Sequence, residues 1–327
     1  MQTQLANRPR YAMRLNALKA SLPVGRCDTP SLLALAAQVE GITAADLNYP
    51  DQVSEDNETA VREALDANGI ALNGLAMRYY GDPAFAIGAF TNPDPTVRLR
   101  AIDQTRAAID ICARLGAGQL TLWMGQDGFD YAFQLDYARA WDDTVAAMAE
   151  AADHNPDIDI AIEYKPNEPR AYALMPDIGT TLLATKELNR PNVGVTLDFA
   201  HVLYADEMPA HAAHLVARHS RLLGVHLNDG YGKRDDGLMV GAVHPVATVE
   251  LLVELDRIGY GGVIYFDTFP DHSGLDPLEE ARNNVAMTDR LRSVAKTLKD
   301  DADLAAAIAA QDAATSQRIV ARALFGA

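Results

Sequence analysis

Short apolar runs alternate with longer amphipathic stretches along the whole chain. The runs are rich in β-branched and aromatic residues and are followed by turn residues, which is typical of buried parallel strands, while the longer stretches have helical spacing. Asp94-Pro95 begins a long predicted helix and Gly116 ends it. Eight such units predict an α/β fold, a single (β/α)8 TIM barrel rather than an open doubly wound sheet.

The same alternation gives bounds for each element. The predicted strands cover residues 11–16, 45–48, 70–77, 120–124, 160–163, 193–198, 223–226 and 263–267, and the predicted helices cover 30–39, 55–68, 95–115, 137–152, 177–188, 209–218, 245–258 and 277–298. Residues 1–299 are expected to form the catalytic barrel, and residues 300–327 an Ala-rich extension with helices over 303–310 and 313–324. Because a barrel does not require this extension, we expect it to contact another subunit in a homodimer or homotetramer. The alternative is an outer helix on its own barrel.

Composition narrows the class of protein. The formal net charge is −17 and the pI is about 4.8, so nucleic acid is not an expected partner. The longest apolar stretches are of strand length, short of the roughly 20 residues of a membrane span, and no membrane partner is expected. The first ten residues lack a secretion core, and Cys27 and Cys112 do not form a disulfide framework in a chain of this size. These features predict a cytoplasmic enzyme.

Four apolar runs in the second half end in a side chain that can bind a metal: Glu163, Asp198, His226 and Asp267. The carboxyl ends of parallel barrel strands converge, and active sites of such barrels lie there. Taken singly, each residue is more typical of a helix cap, an ion pair or a hydrogen-bonded core residue. Taken together, three carboxylates and one imidazole predict a site for Mn²⁺, Mg²⁺, Co²⁺ or Zn²⁺.

Further ligands follow two of these strands. His201 lies three residues after Asp198, a spacing that places both on one side of a helical turn and predicts a second cation site. The loop after His226 is Gly-rich and contains Asp229, Asp235 and Asp236. These aspartates are candidates for the second site, although a solvated turn has the same composition.

Other residues near strand ends are candidates for substrate contacts. Lys165 follows Glu163 by two residues, so it can polarise a substrate oxygen or form an ion pair with a ligand carboxylate. Trp123 and Phe129 supply aromatic faces that suit a sugar site, although a Trp is more often a core residue. The weaker candidates are Asn16 and Tyr79.

With these motifs the chain resembles the xylose-isomerase-like barrels of the sugar isomerase/epimerase superfamily, and most closely the L-rhamnose-isomerase-type aldose–ketose isomerases. The resemblance is firm over residues 160–267 and looser before them. It implies a structural metal held by Glu163, Asp198, His226 and Asp267. It also implies a catalytic metal bound by His201 and by two loop aspartates, which in that family are separated by one residue. Here Asp235 and Asp236 are adjacent, and the resemblance favours Asp236 if only one of them binds.

The resemblance implies a metal-dependent aldose–ketose isomerase that uses a 1,2-hydride shift on a small unphosphorylated monosaccharide. One or two divalent metals per chain are expected, with Mn²⁺ the first choice. Lys165 would steady the oxygen that gains charge, and Asp229 is a candidate proton acceptor. Since the chain is shorter than a typical L-rhamnose isomerase, we expect a smaller or different sugar as substrate, a branched one included.

Three alternatives stay open. A ketose epimerase of the D-tagatose 3-epimerase type would use one metal and two glutamates, which Asp267 does not match. A zinc-dependent phosphodiester-cleaving enzyme like endonuclease IV is disfavoured by the acidic charge and by the lack of further strand-end histidines. An inactive binding subunit on the same scaffold would tolerate loss of ligands, yet every ligand position in the second half is filled.

Overall fold

Eight parallel strands form the centre of a computed structural model of the chain, which describes residues 10–23 and 27–326. They are β1 Tyr11–Met13, β2 Ala44–Tyr49, β3 Ala71–Met77, β4 Gln119–Trp123, β5 Asp159–Glu163, β6 Val193–Asp198, β7 Leu222–Leu227 and β8 Ile264–Phe266. From β2 to β8 each strand pairs with the next one along the chain, and β8 returns to pair with β1. A parallel bridge between Tyr11 and Ile42 closes the remaining gap beside β2. The predicted (β/α)8 barrel is confirmed.

Helices follow the strands on the outside of the barrel. They are α1 Thr29–Ala36, α2 Glu58–Asn68, α3 Pro95–Leu115, α4 Tyr137–His154, α5 Ile178–Leu188, α6 Phe199–Tyr204, α7 Pro209–His219, α8 Pro245–Arg257, α9 Pro270–Ser273, α10 Pro277–Lys299, α11 Ala302–Ala309 and α12 Ala313–Phe325. The long helix α3 has the predicted bounds because the Asp94 side chain caps its first turn and Gly116 ends it at φ 75°. Of the described helices, none has both the length and the apolarity to cross a membrane.

The first strand differs from its prediction. It was expected to reach residue 16, but it ends at Met13 and a 3₁₀ helix, Leu15–Ser21, follows. The Arg14 amide still donates to the Phe266 carbonyl at 3.0 Å, so Arg14 stays at the carboxyl end of the barrel while Asn16 turns away from it.

The two faces of a barrel strand carry side chains with different surroundings. On β4, Leu120 and Leu122 are fully buried in the apolar layer between strands and helices. The alternate residues Thr121 and Trp123 line a cavity at the carboxyl end, since successive side chains of a strand point to opposite faces. Ala76 of β3 also lines this cavity, and its small side chain leaves space inside the barrel.

The C-terminal extension packs on its own barrel. Leu304 and Ala307 of α11 and Ile319 of α12 are buried, and α12 contacts α10. Ile308 and Phe325 are more than half exposed on the same extension. Its contact with another subunit, and the division of the chain at residue 299, stay predictions.

Candidate metal centre and active-site cavity

Four strand ends bring the predicted metal ligands together. Glu163 and Asp198 are the last residues of β5 and β6, His226 is near the end of β7, and Asp267 directly follows β8. Each offers one ligand atom within 4.8 Å of the others. The Nδ1 atom of His226 lies 3.3 Å from Glu163 Oε1 and 3.8 Å from Asp198 Oδ2. The barrel register alone therefore assembles a four-residue cluster from residues that are far apart in sequence.

The chemistry of this cluster fits a divalent cation. The His226 Nδ1 atom is buried and, within the described residues, has no partner in hydrogen-bonding geometry. Burial raises the pKa of Asp198 to about 7 and also raises the pKa of Asp267, because charged carboxylates are costly where water is scarce. A bound cation offsets that cost, and an oxygen-rich set with one imidazole suits Mn²⁺, Mg²⁺, Co²⁺ or Zn²⁺.

His201 stands beside the cluster in the first turn of α6. The His201 amide donates to Asp198 Oδ1 at 3.0 Å, so Asp198 caps the helix that carries the histidine. Its Nδ1 atom lies 3.0 Å from the Tyr164 carbonyl, which can only accept, and Nε2 lies 3.2 Å from Asp235 Oδ2. Burial alone would lower the pKa of His201, but Asp198 and Asp235 outweigh it and raise this pKa to about 10. Because Nδ1 donates to the Tyr164 carbonyl, Nε2 is the atom that a second cation would bind.

Lys165 is held between two carboxylates at the mouth of the cavity. Its Nζ lies 3.1 Å from Asp235 Oδ2 and 3.0 Å from Glu168 Oε2, and 5.4 Å from the centre of the Trp123 ring. Burial would lower the pKa of Lys165, but Asp235 and Glu168 raise it, so the side chain carries its positive charge. The ion pair and a substrate contact are compatible, since Lys165 also lines the cavity.

The loop after β7 places its three aspartates in different surroundings. Asp235 lines the cavity, whereas Asp236 Oδ2 accepts from the Tyr231 amide at 2.8 Å and closes its own loop. Of these two neighbours, Asp235 is the one that faces the cavity. Asp229 is fully buried and its carboxylate accepts from the amides of Gly230, Val243 and His244 and from His244 Nδ1. With its oxygens occupied in this way, Asp229 holds the loop and does not face the cavity.

Three of the four predicted substrate contacts also lie elsewhere. Phe129 sits in a short antiparallel pair, Gly128–Phe129 with Tyr172–Ala173, and stacks on Tyr172 at 5.1 Å. The Tyr79 hydroxyl is 2.5 Å from Thr105 Oγ1 inside the helix layer. Asn16 Oδ1 accepts from the Gln52 side chain at 3.2 Å, behind the cavity wall. Trp123 lines the cavity as predicted, and its buried Nε1 has no hydrogen-bond partner.

The cavity has a volume of about 300 Å³ and includes residues that the sequence did not single out. This volume is at the low end of the range for small-molecule sites and suits a small ligand. Burial raises the pKa of Asp46, on the cavity wall, to about 6. Two of the unpredicted residues, Arg14 and Arg78, directly follow β1 and β3. The strand-end rule used for the metal ligands points to Arg78, whereas Arg14 lies inside the first strand as predicted, over 11–16. The unpredicted lining residues include Arg14, Asp46, Asn48, Arg78, Tyr80, Glu168, Tyr265, Phe269 and His272.

Comparison with known proteins places the chain in a family. The sequence profile of the Xylose isomerase-like TIM barrel family matches residues 33–291, and the chain belongs to this family. It is similar to the xylose isomerase of Thermus thermophilus, at 31% identity over 224 residues, which are 67% of this chain and 58% of that protein. A xylose isomerase of Thermus caldophilus is 31% identical over 63% of this chain and 55% of its own length. The chain thus spans less than two thirds of the length of both relatives.

Solved structures show the same fold at low identity. An L-ribulose 3-epimerase superposes with a TM-score of 0.70 at 15% identity, covering 88% of this chain and 96% of that one. A D-allulose 3-epimerase from Methylomonas sp., in complex with D-allulose, gives 0.67 at 18% identity, covering 86% and 97%. The family predicted from the sequence is confirmed, while the narrower likeness to L-rhamnose isomerases stays a prediction.

Proposed function

We propose that this protein is a metal-dependent aldose–ketose sugar isomerase that acts on a small unphosphorylated monosaccharide. The observation that carries the proposal is the meeting of His201, Lys165 and Asp235 beside the four-residue cluster. An aldose becomes a ketose when the C2 hydrogen moves to C1 with its electron pair, the C2 hydroxyl loses a proton and the C1 oxygen gains one. The reaction therefore needs no external oxidant or reductant. The similarity to two xylose isomerases supports the same reaction class.

The metal would be held by residues already close to one another. Glu163, Asp198, His226 and Asp267 would hold one ion, and His201 with Asp235 would contribute to a second. We propose Mn²⁺ as the ion, with Mg²⁺, Co²⁺ and Zn²⁺ as alternatives. When bound, the metal would supply positive charge and Lewis acidity at the sugar oxygens.

The chain's own groups prepare the cavity for an open-chain sugar. Lys165, kept charged by Asp235 and Glu168, is placed to donate to a sugar oxygen that gains negative charge. The Tyr80 and Trp123 rings meet edge to face at 5.5 Å and shield this donor from water on one side. A fixed ammonium group in a partly dry site stabilises a developing charge more strongly than one in bulk water.

The charge of the cavity favours an unphosphorylated substrate. Five carboxylates line it, from Asp46, Glu163, Glu168, Asp235 and Asp267, against the three cations of Arg14, Arg78 and Lys165. One divalent ion brings this wall close to neutrality, whereas a phosphate would add negative charge again.

The second candidate is ketose 3-epimerisation, because two of the structures similar in fold are 3-epimerases. That reaction needs a carboxylate on each side of the reacting carbon, and the second of them would be Asp267. An aspartate is one methylene shorter than a glutamate and reaches a substrate carbon less readily while binding a metal. The epimerase reading also leaves His201 and Asp235 without a role, so we favour the isomerase.

The proposal is tested by metal removal and reloading. Protein stripped with EDTA should not interconvert any member of a panel of pentoses and hexoses, and addition of Mn²⁺ should restore aldose–ketose conversion. Glu163→Gln should abolish the metal-dependent turnover, while Glu279→Gln, exposed on α10, should retain it. Turnover that persists without metal, or no turnover of any sugar by the metal-loaded protein, would contradict the proposal.

We also propose that the protein is a cytoplasmic homodimer or homotetramer, from its composition and from the exposed apolar residues of the extension. Light scattering of the purified protein gives the oligomeric state directly, and a monomer would contradict this part of the proposal.

A further inference from the structure

The wall opposite the metal centre has its own chemistry. In the closed strand order, β2 and β3 lie across the barrel from β6 and β7. Asn48 of β2 and Arg78, directly after β3, line the cavity there. Arg78 Nε donates to Asn48 Oδ1 at 2.7 Å, and the guanidinium lies over the Tyr80 ring at 5.5 Å. These contacts fix the plane of the guanidinium.

Some of the nitrogen atoms on this wall donate no hydrogen bond to any described protein atom. Lys165 and Arg14 are both in ion pairs, Arg14 with Asp271 at 2.7 Å. Arg78 has no carboxylate within 4.0 Å among the residues that the structure describes. Within the same ranges, its two terminal nitrogens donate to no protein atom, and neither does Asn48 Nδ2 once its Oδ1 has accepted from Arg78. All of these nitrogens therefore remain available to a ligand in the cavity.

The wall is rigid because buried residues support it from behind. The Asn48 amide donates to Gln52 Oε1 at 2.8 Å, and Gln52, with 2% of its surface exposed, donates to Asn16 Oδ1 at 3.2 Å. Donors whose geometry is set before binding lose little freedom when a ligand arrives. Such an arrangement is more typical of a recognition site than of a solvated surface.

We propose that Arg78 and Asn48 bind the hydroxyl oxygens of the open-chain sugar at the end remote from the metal centre, and that Arg78 determines which sugars are accepted. This assignment rests on the proposed function and deepens it. Neutral hydroxyls fit better than a carboxylate, because the cavity already has more acidic than basic side chains. A planar guanidinium can donate to two neighbouring oxygens at once, so it distinguishes hydroxyl configurations that a lysine would not.

Calorimetric titration of sugar alcohols tests the assignment without turnover. The probes are xylitol, ribitol and D-arabinitol, which cannot react, added to Mn²⁺-loaded protein. Arg78→Met should weaken the tightest of them by about 10- to 100-fold, the loss expected for charge-assisted hydrogen bonds. Arg78→Lys keeps the charge but loses the paired N–H donors of the guanidinium. It should bind the three probes more weakly, and the differences in affinity among them should become smaller.

Arg100→Met is the matched control, since Arg100 also stacks on an aromatic ring, Phe85 at 4.7 Å, but lies outside the cavity. It should change alditol affinity by less than about twofold. Mn²⁺ stoichiometry and Tm, measured for all three variants, identify any that fail to fold. Wild-type affinity in a folded Arg78→Met would overturn the assignment.

The contact with hydroxyls is tested by deoxy analogues. The wild type should bind one deoxypentitol markedly more weakly than its parent, and Arg78→Met should bind the two about equally. An Arg78→Met effect confined to aldonates would overturn the choice of hydroxyls and indicate a sugar acid.

If the metal-loaded wild type neither binds an alditol nor turns over a sugar, the proposed function fails and this assignment fails with it. Binding by the wild type with no change in the variant contradicts the role of Arg78 alone.

Discussion

Lys165 and Asp235, 70 residues apart in the chain, meet at the mouth of the cavity with 3.1 Å between Nζ and Oδ2. The same carboxylate oxygen lies 3.2 Å from His201 Nε2. One loop aspartate thus joins the end of β5 to the first turn of α6, beside the four-residue cluster. This junction adds charged groups to the cavity beside the cluster, and two of its members, Asp235 and Lys165, each give a distinct prediction.

Replacement of Asp235 should weaken a second metal site. We expect Asp235→Ala to bind the second Mn²⁺ at least about tenfold more weakly, because the second ion loses a carboxylate ligand next to His201. The first Mn²⁺ should be retained. Manganese titrations monitored by electron paramagnetic resonance give the number of Mn²⁺ ions bound at the first and at the second site.

Asp236→Ala is the matched control for this change. Its carboxylate accepts from the Tyr231 amide and pairs with exposed Arg234, so its loss should affect the loop but not the number of bound ions. A variant pattern in the opposite order, with the second ion lost in Asp236→Ala and kept in Asp235→Ala, would restore the sequence-based preference.

Removal of the Lys165 ammonium should lower kcat rather than raise KM. Lys165→Met is expected to reduce kcat by about 10² to 10³, the range seen when one donor to a developing oxyanion is lost. Metal stoichiometry should not change, because Lys165 is not a ligand. Steady-state kinetics with the preferred sugar give the two constants separately. Lys186→Met, exposed on α5, serves as control, and an active Lys165→Met would exclude the proposed role.

Asp229 should matter for stability rather than chemistry. Asp229→Ala leaves the part-buried amides of Val243 and His244 without an acceptor and should lower the free energy of unfolding by about 3 kcal/mol. Asp229→Asn keeps an acceptor oxygen and should cost less while retaining most of kcat. Denaturant unfolding and kinetics of both variants separate the two roles. A stable but inactive Asp229→Asn would identify this residue as the proton acceptor after all.

Metal affinity should fall as the pH is lowered. Burial would lower the pKa of His226, but Glu163 outweighs it and raises this pKa to about 9 in the metal-free protein. The imidazole is therefore protonated at neutral pH and must lose that proton to bind a metal, so the association constant should drop by at least about tenfold per unit between pH 8 and pH 6. Calorimetry in buffers of different ionisation enthalpy should also detect proton release. A Kd that stays constant over this range would contradict the assignment of His226.

The sequence predicted that the four side chains of the cluster meet, because that prediction needed little detail. An apolar run that ends in Glu163, Asp198, His226 or Asp267 requires only that the strands be parallel and enclosed in a barrel. Barrel geometry then brings the strand ends together whatever the loops do. The same reasoning gave the bounds of most helices within a few residues.

The sequence did not predict which of two neighbouring residues in a turn faces the cavity. Asp235 faces the cavity and Asp236 does not, and Tyr80 reaches it while Tyr79 packs against Thr105. In each case neighbouring residues of the same type point in different directions because of local backbone dihedral angles. Composition and spacing carry no information about that choice.

The donor wall was missed for a different reason. Arg78 follows β3 just as Asp267 follows β8, but the predicted substrate contact at this strand end was Tyr79, the next residue. Asn48 is less obvious, since it lies within β2 and its role depends on the 2.7 Å contact with Arg78. The position of a polar residue at a strand end therefore points to Arg78 and not to Asn48.

The central claim is a metal-dependent hydride shift, and NMR of the Mn²⁺-loaded protein with its sugar substrate in D₂O tests it most directly. The account predicts aldose–ketose conversion with almost no deuterium at C1 or C2 of the product, because the hydrogen moves without exchange with solvent. Deuterium entering at C3 of a ketose would contradict the account and identify an epimerase instead.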